Sequence, residues 1–156
     1  MRYASLRSMD VSDGEGIGIS LFVQGCHFHC KNCFNQSTWD FNGGEEFTEE
    51  VKQKMFELLD RNYITRISIL GGEPLSPPNR EDVCNLCKEI KEKFPNKKTW
   101  LYTGYKYEDI DFDILDYVDV LVDGQYEDDK RNLRLQFRGS TNQRIWKKTD
   151  GEWNNV

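Results

Sequence analysis

The sequence predicts an α/β fold, a mostly parallel sheet with helical crossovers, in a single domain spanning residues 1–156. Three observations predict it. Short runs rich in β-branched and aromatic residues recur at 19–23, 64–70, 99–103 and 118–122. Segments with helical spacing stand between the first three of these runs, at 48–59 and 80–94. That alternation is the pattern of strands joined by crossover helices. The length suits one domain, and 37% hydrophobic residues with 13% aromatics are enough to fill its core.

Residues 1–12 are mixed in character and read as an edge strand or an arm. The stretch Asp13-Gly14-Glu15-Gly16-Ile17-Gly18 has glycine at alternate positions, which permits a backbone that a side chain would block. The run at 19–23 is a buried strand that delivers the chain directly to Gln24-Gly25-Cys26. Residues 34–47 form a loop with Asn42-Gly43-Gly44 as a turn. Thr48 is the expected N-cap of a helix, with Glu49 and Glu50 in the first turn, where the helix dipole favours negative charge. Val51, Met55, Leu58 and Leu59 form its core stripe, and Asn62 ends it.

The strand at 64–70 runs into Gly71-Gly72-Glu73-Pro74. Two glycines allow close approach of the backbone to a ligand, and Pro74 biases Glu73 to an extended conformation. Strand-end carbonyls there could accept from an ammonium group. Pro77 and Pro78 mark a loop. Asn79 is the expected cap of a helix from Arg80 to Phe94, stopped by Pro95, with Val83, Leu86, Cys87, Ile90 and Phe94 on one face. The strand at 99–103 ends at Thr103-Gly104, residues 107–115 read as a short helix, and the strand at 118–122 ends at Asp123-Gly124. A strand-end Asp binds ribose hydroxyls or a cation, or caps a turn. In the tail, Leu133, Leu135 and Phe137 alternate with polar residues as in a half-buried strand. Residues 147–156 read as a polar terminal segment anchored by Trp153.

The chemistry concentrates in the loop 25–34. It carries Cys26, Cys30 and Cys33 in the order Cys-x3-Cys-x2-Cys, with no fourth cysteine nearby. Thiolates are soft ligands for zinc or iron–sulfur clusters. Three of them hold three irons of a cubane and leave the fourth open to a substrate. Alternatively, His27 or His29 completes a Cys3His zinc site. Five cysteines is an odd number, and the N-terminal residues open no apolar signal segment, so a reducing, cytoplasmic setting is expected. Cys84 and Cys87 lie on or beside the apolar face of their helix and are expected to be buried and inert. A formal net charge of -6 gives no general attraction to nucleic acid or to an anionic membrane, and no apolar run is long enough to span a bilayer.

The cysteine spacing followed by Gly71-Gly72-Glu73-Pro74 resembles the radical S-adenosylmethionine (SAM) superfamily. Asp13-Gly14-Glu15-Gly16 ahead of Phe22-Val23-Gln24-Gly25-Cys26 resembles its glycyl-radical-activating branch. Three more stretches resemble the activases of anaerobic ribonucleotide reductases: Tyr102-Thr103-Gly104-Tyr105, Val120-Leu121-Val122-Asp123-Gly124 and Arg138-Gly139-Ser140-Thr141-Asn142-Gln143-Arg144. The resemblance implies a [4Fe–4S] cluster on Cys26, Cys30 and Cys33. It implies SAM on the open iron and against Gly71, Gly72, Glu73 and Pro74, with Thr103 and Asp123 nearby. It further implies a radical passed to a glycine of the reductase large subunit, and a low-potential electron donor such as a flavodoxin. No side chain need act as an acid or base. The fold implied is an incomplete (β/α) barrel of radical SAM type, since a full barrel takes about 250 residues. Its lateral opening would admit a partner loop, and the segment 125–156, with Arg138 and Arg144, would face that partner unless those arginines hold the tail internally. Activation of another glycyl-radical enzyme, such as a formate-lyase, is the neighbouring alternative. Gly18, Asn32 and Gln125 depart from the family, which often has Arg, an aromatic residue and Lys there.

Overall fold

The computed structural model describes residues 1–156. Its strands are β1 (Arg2–Asp10), β2 (Gly18–Val23), β3 (Glu45–Glu46), β4 (Arg66–Gly71), β5 (Lys98–Tyr102), β6 (Val120–Asp123), β7 (Arg144–Thr149) and β8 (Glu152–Asn155). The helices are α1 (Glu49–Leu59) and α2 (Pro77–Lys93). All strands join one sheet in the order β3-β1-β2-β4-β5-β6-β7-β8. The central four, β2, β4, β5 and β6, are parallel. Antiparallel strands flank them on both sides, β1 and β3 on one and β7 and β8 on the other. The sheet is therefore mixed, with its parallel part at the centre.

Successive side chains of a strand point to opposite faces, and the two faces differ. Ile19, Leu21, Val23, Ile67, Ile69, Leu101 and Leu121 belong to the main core, which also takes Met55 and Leu59 of α1 and Val83, Leu86 and Ile90 of α2. Cys87 is fully buried in that core. The other face carries Ser20, Phe22, Ser68, Leu70, Tyr102 and Val122. Near the start of β4 on this face the Arg66 guanidinium is 1% exposed. It pairs with Asp10 at 3.1 Å and donates to the Ser68 hydroxyl at 2.8 Å. A Cβ at Gly14 or Gly18 would run into this side chain. Position 18 thus stays small because the buried arginine comes from the neighbouring strand.

Several local expectations are corrected. Thr48 caps α1 as expected, accepting from the Val51 amide, but the helix ends at Leu59, before Asn62. Pro77 and Pro78 are not loop residues; they form the first turn of α2, where a missing N–H costs nothing. Ser76 is at the cap position. Asn79, freed from capping, is buried and its amide donates to the carbonyls of Gln24 at 3.1 Å and Glu73 at 3.2 Å. The short helix expected at 107–115 is two 3-10 turns, at Tyr107–Asp109 and Asp113–Tyr117.

Residues 131–139 form no strand. Arg131 bridges to Ser140, and the Thr141 amide donates to the Lys130 carbonyl at 2.9 Å, which closes the segment into a loop. Phe137 adopts a φ of 64° within it. The terminal segment is a hairpin, β7 and β8, turned at Asp150-Gly151 with φ of 52° and 81°, as a two-residue turn of the right twist requires. No helix is long and apolar enough to cross a membrane.

Candidate functional site

The cysteine loop leaves the C-terminal end of β2, the edge at which parallel α/β sheets carry their ligands. It is anchored on residues 37–41. The Gly25 amide donates to the Thr38 carbonyl at 2.6 Å and the Cys26 amide to the Trp39 carbonyl at 3.1 Å. The Gln24 side chain donates to the carbonyls of Ser37 at 3.2 Å and Asp40 at 2.8 Å. Gly25 has a φ of 103°, and a Cβ there would collide with the Phe41 ring. Further on, His29 and Asn32 are left-handed, and the Asn32 amide donates to Asp128 at 2.8 Å. The non-aromatic residue at position 32 therefore ties the loop to the segment after β6.

All three cysteines line one cavity of about 410 Å³, shared with Gly71, Gly72, Glu73 and Thr103. Burial pushes the Cys26 and Cys30 thiols up, and their neighbouring cysteines add to this. They are therefore thiols until a metal displaces the protons. No three His, Cys, Asp or Glu side chains converge tightly enough to share a single metal ion. Both histidines are engaged elsewhere. The His29 ring stacks on Trp39 at 4.5 Å between centroids and an angle of 7°. His27 shares a hydrogen bond of 2.7 Å with the Ser76 hydroxyl, and its ring lies beside Phe28.

The Gly71–Pro74 stretch packs directly against this loop. The Gly72 amide donates to the Val23 carbonyl at 2.8 Å. Gly71 has a φ of 109°, and a Cβ on Gly72 would run into the Gly25 carbonyl. These glycines accommodate the neighbouring backbone, a reason the sequence did not disclose. The Glu73 carboxylate is 2% exposed and accepts from the Leu75 amide at 2.8 Å, the Thr103 hydroxyl at 2.7 Å and the Gly104 amide at 2.6 Å. Burial outweighs these bonds and pushes its pKa up to about 7. Glu73 thus ties the end of β4 to the end of β5, and Thr103 serves it. Pro74 is buried beside it.

Asp123 stands apart from the other expected residues. It does not line the cavity. Its carboxylate is fully buried, accepts from the Tyr107 amide at 2.8 Å and is held by Arg144, whose Nε is 3.1 Å away. Arg144 also makes a two-pronged contact with Glu108, at 2.7 and 2.8 Å. Arg138 donates to the Gln143 carbonyl. The tail motif therefore holds the chain together internally.

Sequence reasoning missed three groups in the cavity wall. Arg7, Asp13 and Tyr102 also line it. Burial and the charge of Asp10 push the Asp13 carboxyl up to about 6. Asp13, at the head of the glycine-rich stretch, was the available signal, because such glycines let a backbone pass close to other groups. The wall also includes Gln125, whose amide oxygen is 3.7 Å from the Cys30 sulfur.

A family model described as a 4Fe-4S single cluster domain matches residues 12–146. An anaerobic ribonucleoside-triphosphate reductase-activating protein of Enterobacteria phage T4 is 43% identical over 154 residues, 98% of either chain. Proteins of the same name from Vibrio cholerae serotype O1 and Escherichia coli K12 are 39% and 36% identical. They cover 93% and 92% of this chain and 97% and 96% of their own. With a cysteine-lined cavity at the strand ends and full-length similarity of this degree, the chain belongs to the family of anaerobic ribonucleoside-triphosphate reductase-activating proteins, built on a 4Fe-4S single cluster domain.

Proposed function

We propose that the chain is a cytoplasmic activase that generates a glycyl radical on the large subunit of an anaerobic ribonucleotide reductase, using a [4Fe–4S] cluster and SAM. One observation carries the reading: three thiols and the Gly71–Glu73 strand end share a single cavity. Cys26, Cys30 and Cys33 hold the cluster, and three soft ligands leave one iron for SAM. A reduced cluster held there would supply one electron for the reductive cleavage of SAM, the source of the radical chemistry directed at the glycine Cα. The protein's own part is positioning and exclusion of water.

Gly71 and Gly72 hold the cysteine loop at the ligand-bearing edge, and their strand end receives the methionyl group. Glu73, bonded on three sides, fixes that strand end and abstracts no proton. Thr103 acts through Glu73, and Asp123 acts through the main chain it supports rather than by touching ligand. The open sheet reads as an incomplete barrel of radical SAM type, whose lateral opening admits a loop of the partner. A low-potential carrier such as a flavodoxin supplies the electron. The engagement of both histidines weighs against a Cys3His zinc module.

The test is an anaerobic electron paramagnetic resonance measurement. Reduced, reconstituted protein with SAM should give a glycine-centred radical only when the reductase subunit is added, in proportion to it. A formate-lyase-type partner should give none. SAM cleavage that continues while no glycyl radical forms would overturn the activase reading. A colourless protein carrying zinc would overturn the cluster.

A further inference from the structure

Gln125 is the one side chain from outside the cysteine loop within hydrogen-bond reach of a cysteine sulfur. Its amide oxygen is 3.7 Å from Cys30 Sγ, which as a thiol donates to it. The placement is built from several directions. Gly124, just before it, has a φ of 95° that turns the chain out of β6. The Asn142 side chain donates to the Gln125 carbonyl at 2.8 Å, and the Gln143 side chain donates to the Gly124 carbonyl at 3.0 Å. Gln143 is fixed in turn, its amide oxygen accepting from the amides of Gly139 at 2.8 Å and Ser140 at 3.2 Å. The stem of Gln125 lies over Gly104, where a Cβ would be 3.3 Å from its Cγ. Asn142 and Gln143 thus belong to a clamp whose product is the position of one amide beside Cys30.

A cysteine that ligates a cluster has lost its proton and no longer donates. A primary amide presents an acceptor at one end and two N–H donors at the other, and turning it over exchanges them. We propose that, given the cluster assigned above, Gln125 tunes its reduction potential by donating an N–H to the Cys30 thiolate, and that Asn142 and Gln143 serve to hold it there. Reduction adds negative charge to the cluster and its sulfurs. A donor dipole aimed at a sulfur stabilises that charge, so the potential rises. Gln125 does not touch substrate; it acts through Cys30.

The experiment is a redox titration of the reconstituted protein, without SAM or partner, followed by the paramagnetic signal of the reduced cluster. Gln125→Met keeps length and removes the donors. It should shift the reduction equilibrium about tenfold toward the oxidised form, ~59 mV for one electron. Gln125→Glu, which puts an acceptor and a charge beside the sulfur, should shift it further in the same direction. Asn142→Ala should give a smaller shift of that sign with iron content retained. Unchanged potentials in Gln125→Met and Gln125→Glu at full iron content would overturn the proposal. So would a Gln125→Met protein that folds but cannot hold its cluster, because a tuning residue is not needed for assembly. If the wild-type protein itself takes up no iron, the cluster assignment fails rather than the role of Gln125.

Discussion

The Glu73 amide donates to the Gly25 carbonyl at 2.7 Å, so the residue ahead of the first cysteine is bonded to the strand end expected to hold SAM. The two halves of the site are one structural unit. Gly72 lies in the same contact, close to the carbonyls of Gly25 and Thr38. Gly72→Val should therefore damage both halves at once. Overpacking costs about 1–3 kcal/mol, and iron content after anaerobic reconstitution should fall together with SAM binding. Full iron content with weakened SAM binding would mean that the glycine serves the ligand alone.

Alanine at Cys26, Cys30 or Cys33 should each abolish cluster retention, measured as iron and sulfide per chain. Cys84→Ala and Cys87→Ala should retain it. Burial holds the Cys87 thiol far above its ordinary range, so it is protonated and inert at neutral pH. Its removal should cost only about 1 kcal/mol, through the small cavity left behind.

Arg144 was a candidate for docking a partner, and its contacts give it an internal role. Arg144→Ala leaves the Asp123 carboxylate buried without its cation, which costs about 3 kcal/mol. The thermal midpoint and partner-independent SAM cleavage should fall together. Loss of reductase activation at unchanged thermal stability would restore the docking role.

Asp13 and Glu73 bind a proton more tightly in the folded chain than in an unfolded one, where their values are 3.8 and 4.5. Their contributions to stability are thus fully present at acid pH and decline as pH rises through about 6 and about 7. Asp10 has the opposite sign. Burial opposes its ionisation, but hydrogen bonds from Ser12, Ser20 and Arg66 hold it well below the usual range, so its contribution is lost as pH falls below 3.8. Asp13→Asn should flatten the decline between pH 3.8 and about 6, read as urea midpoints of the metal-free protein, and leave the part due to Glu73. An unaltered pH profile would show that Asp13 titrates normally.

What could be read in advance was set by local pattern. The four parallel strands announce themselves as apolar runs, Thr48 as a helix cap, and the three cysteines by spacing. The errors lie where distant contacts decide. Pro77 and Pro78 look like loop until Asn79 is seen to be needed elsewhere, by Gln24 and Glu73. Leu133, Leu135 and Phe137 alternate as a strand does, yet the bridge between Arg131 and Ser140 closes their segment into a loop. Asp150-Gly151 was a legible hairpin signal that the polarity of its flanks concealed. The site divides in the same way. Glu73 and Thr103 were found by position, but their bond to each other depends on the packing of β4 beside β5. The role of Asp123 was hidden because its partner, Arg144, is 21 residues further along.

Apart from β3, neighbours in the sheet are also successive strands in the chain. During synthesis, which runs from the N-terminus, each new strand from β4 onward meets a partner that has already left the ribosome. The cysteine loop is the exception to this convenient timing. Its three thiols emerge before Gly72, Glu73 and Asn79, the residues that fix the strand end beneath it, and Gln125 follows only much later. A nascent chain thus carries three thiols on a loop that only residues 37–41 can anchor until the later strands arrive. Oxygen or a stray metal that reaches them in that interval meets no finished pocket.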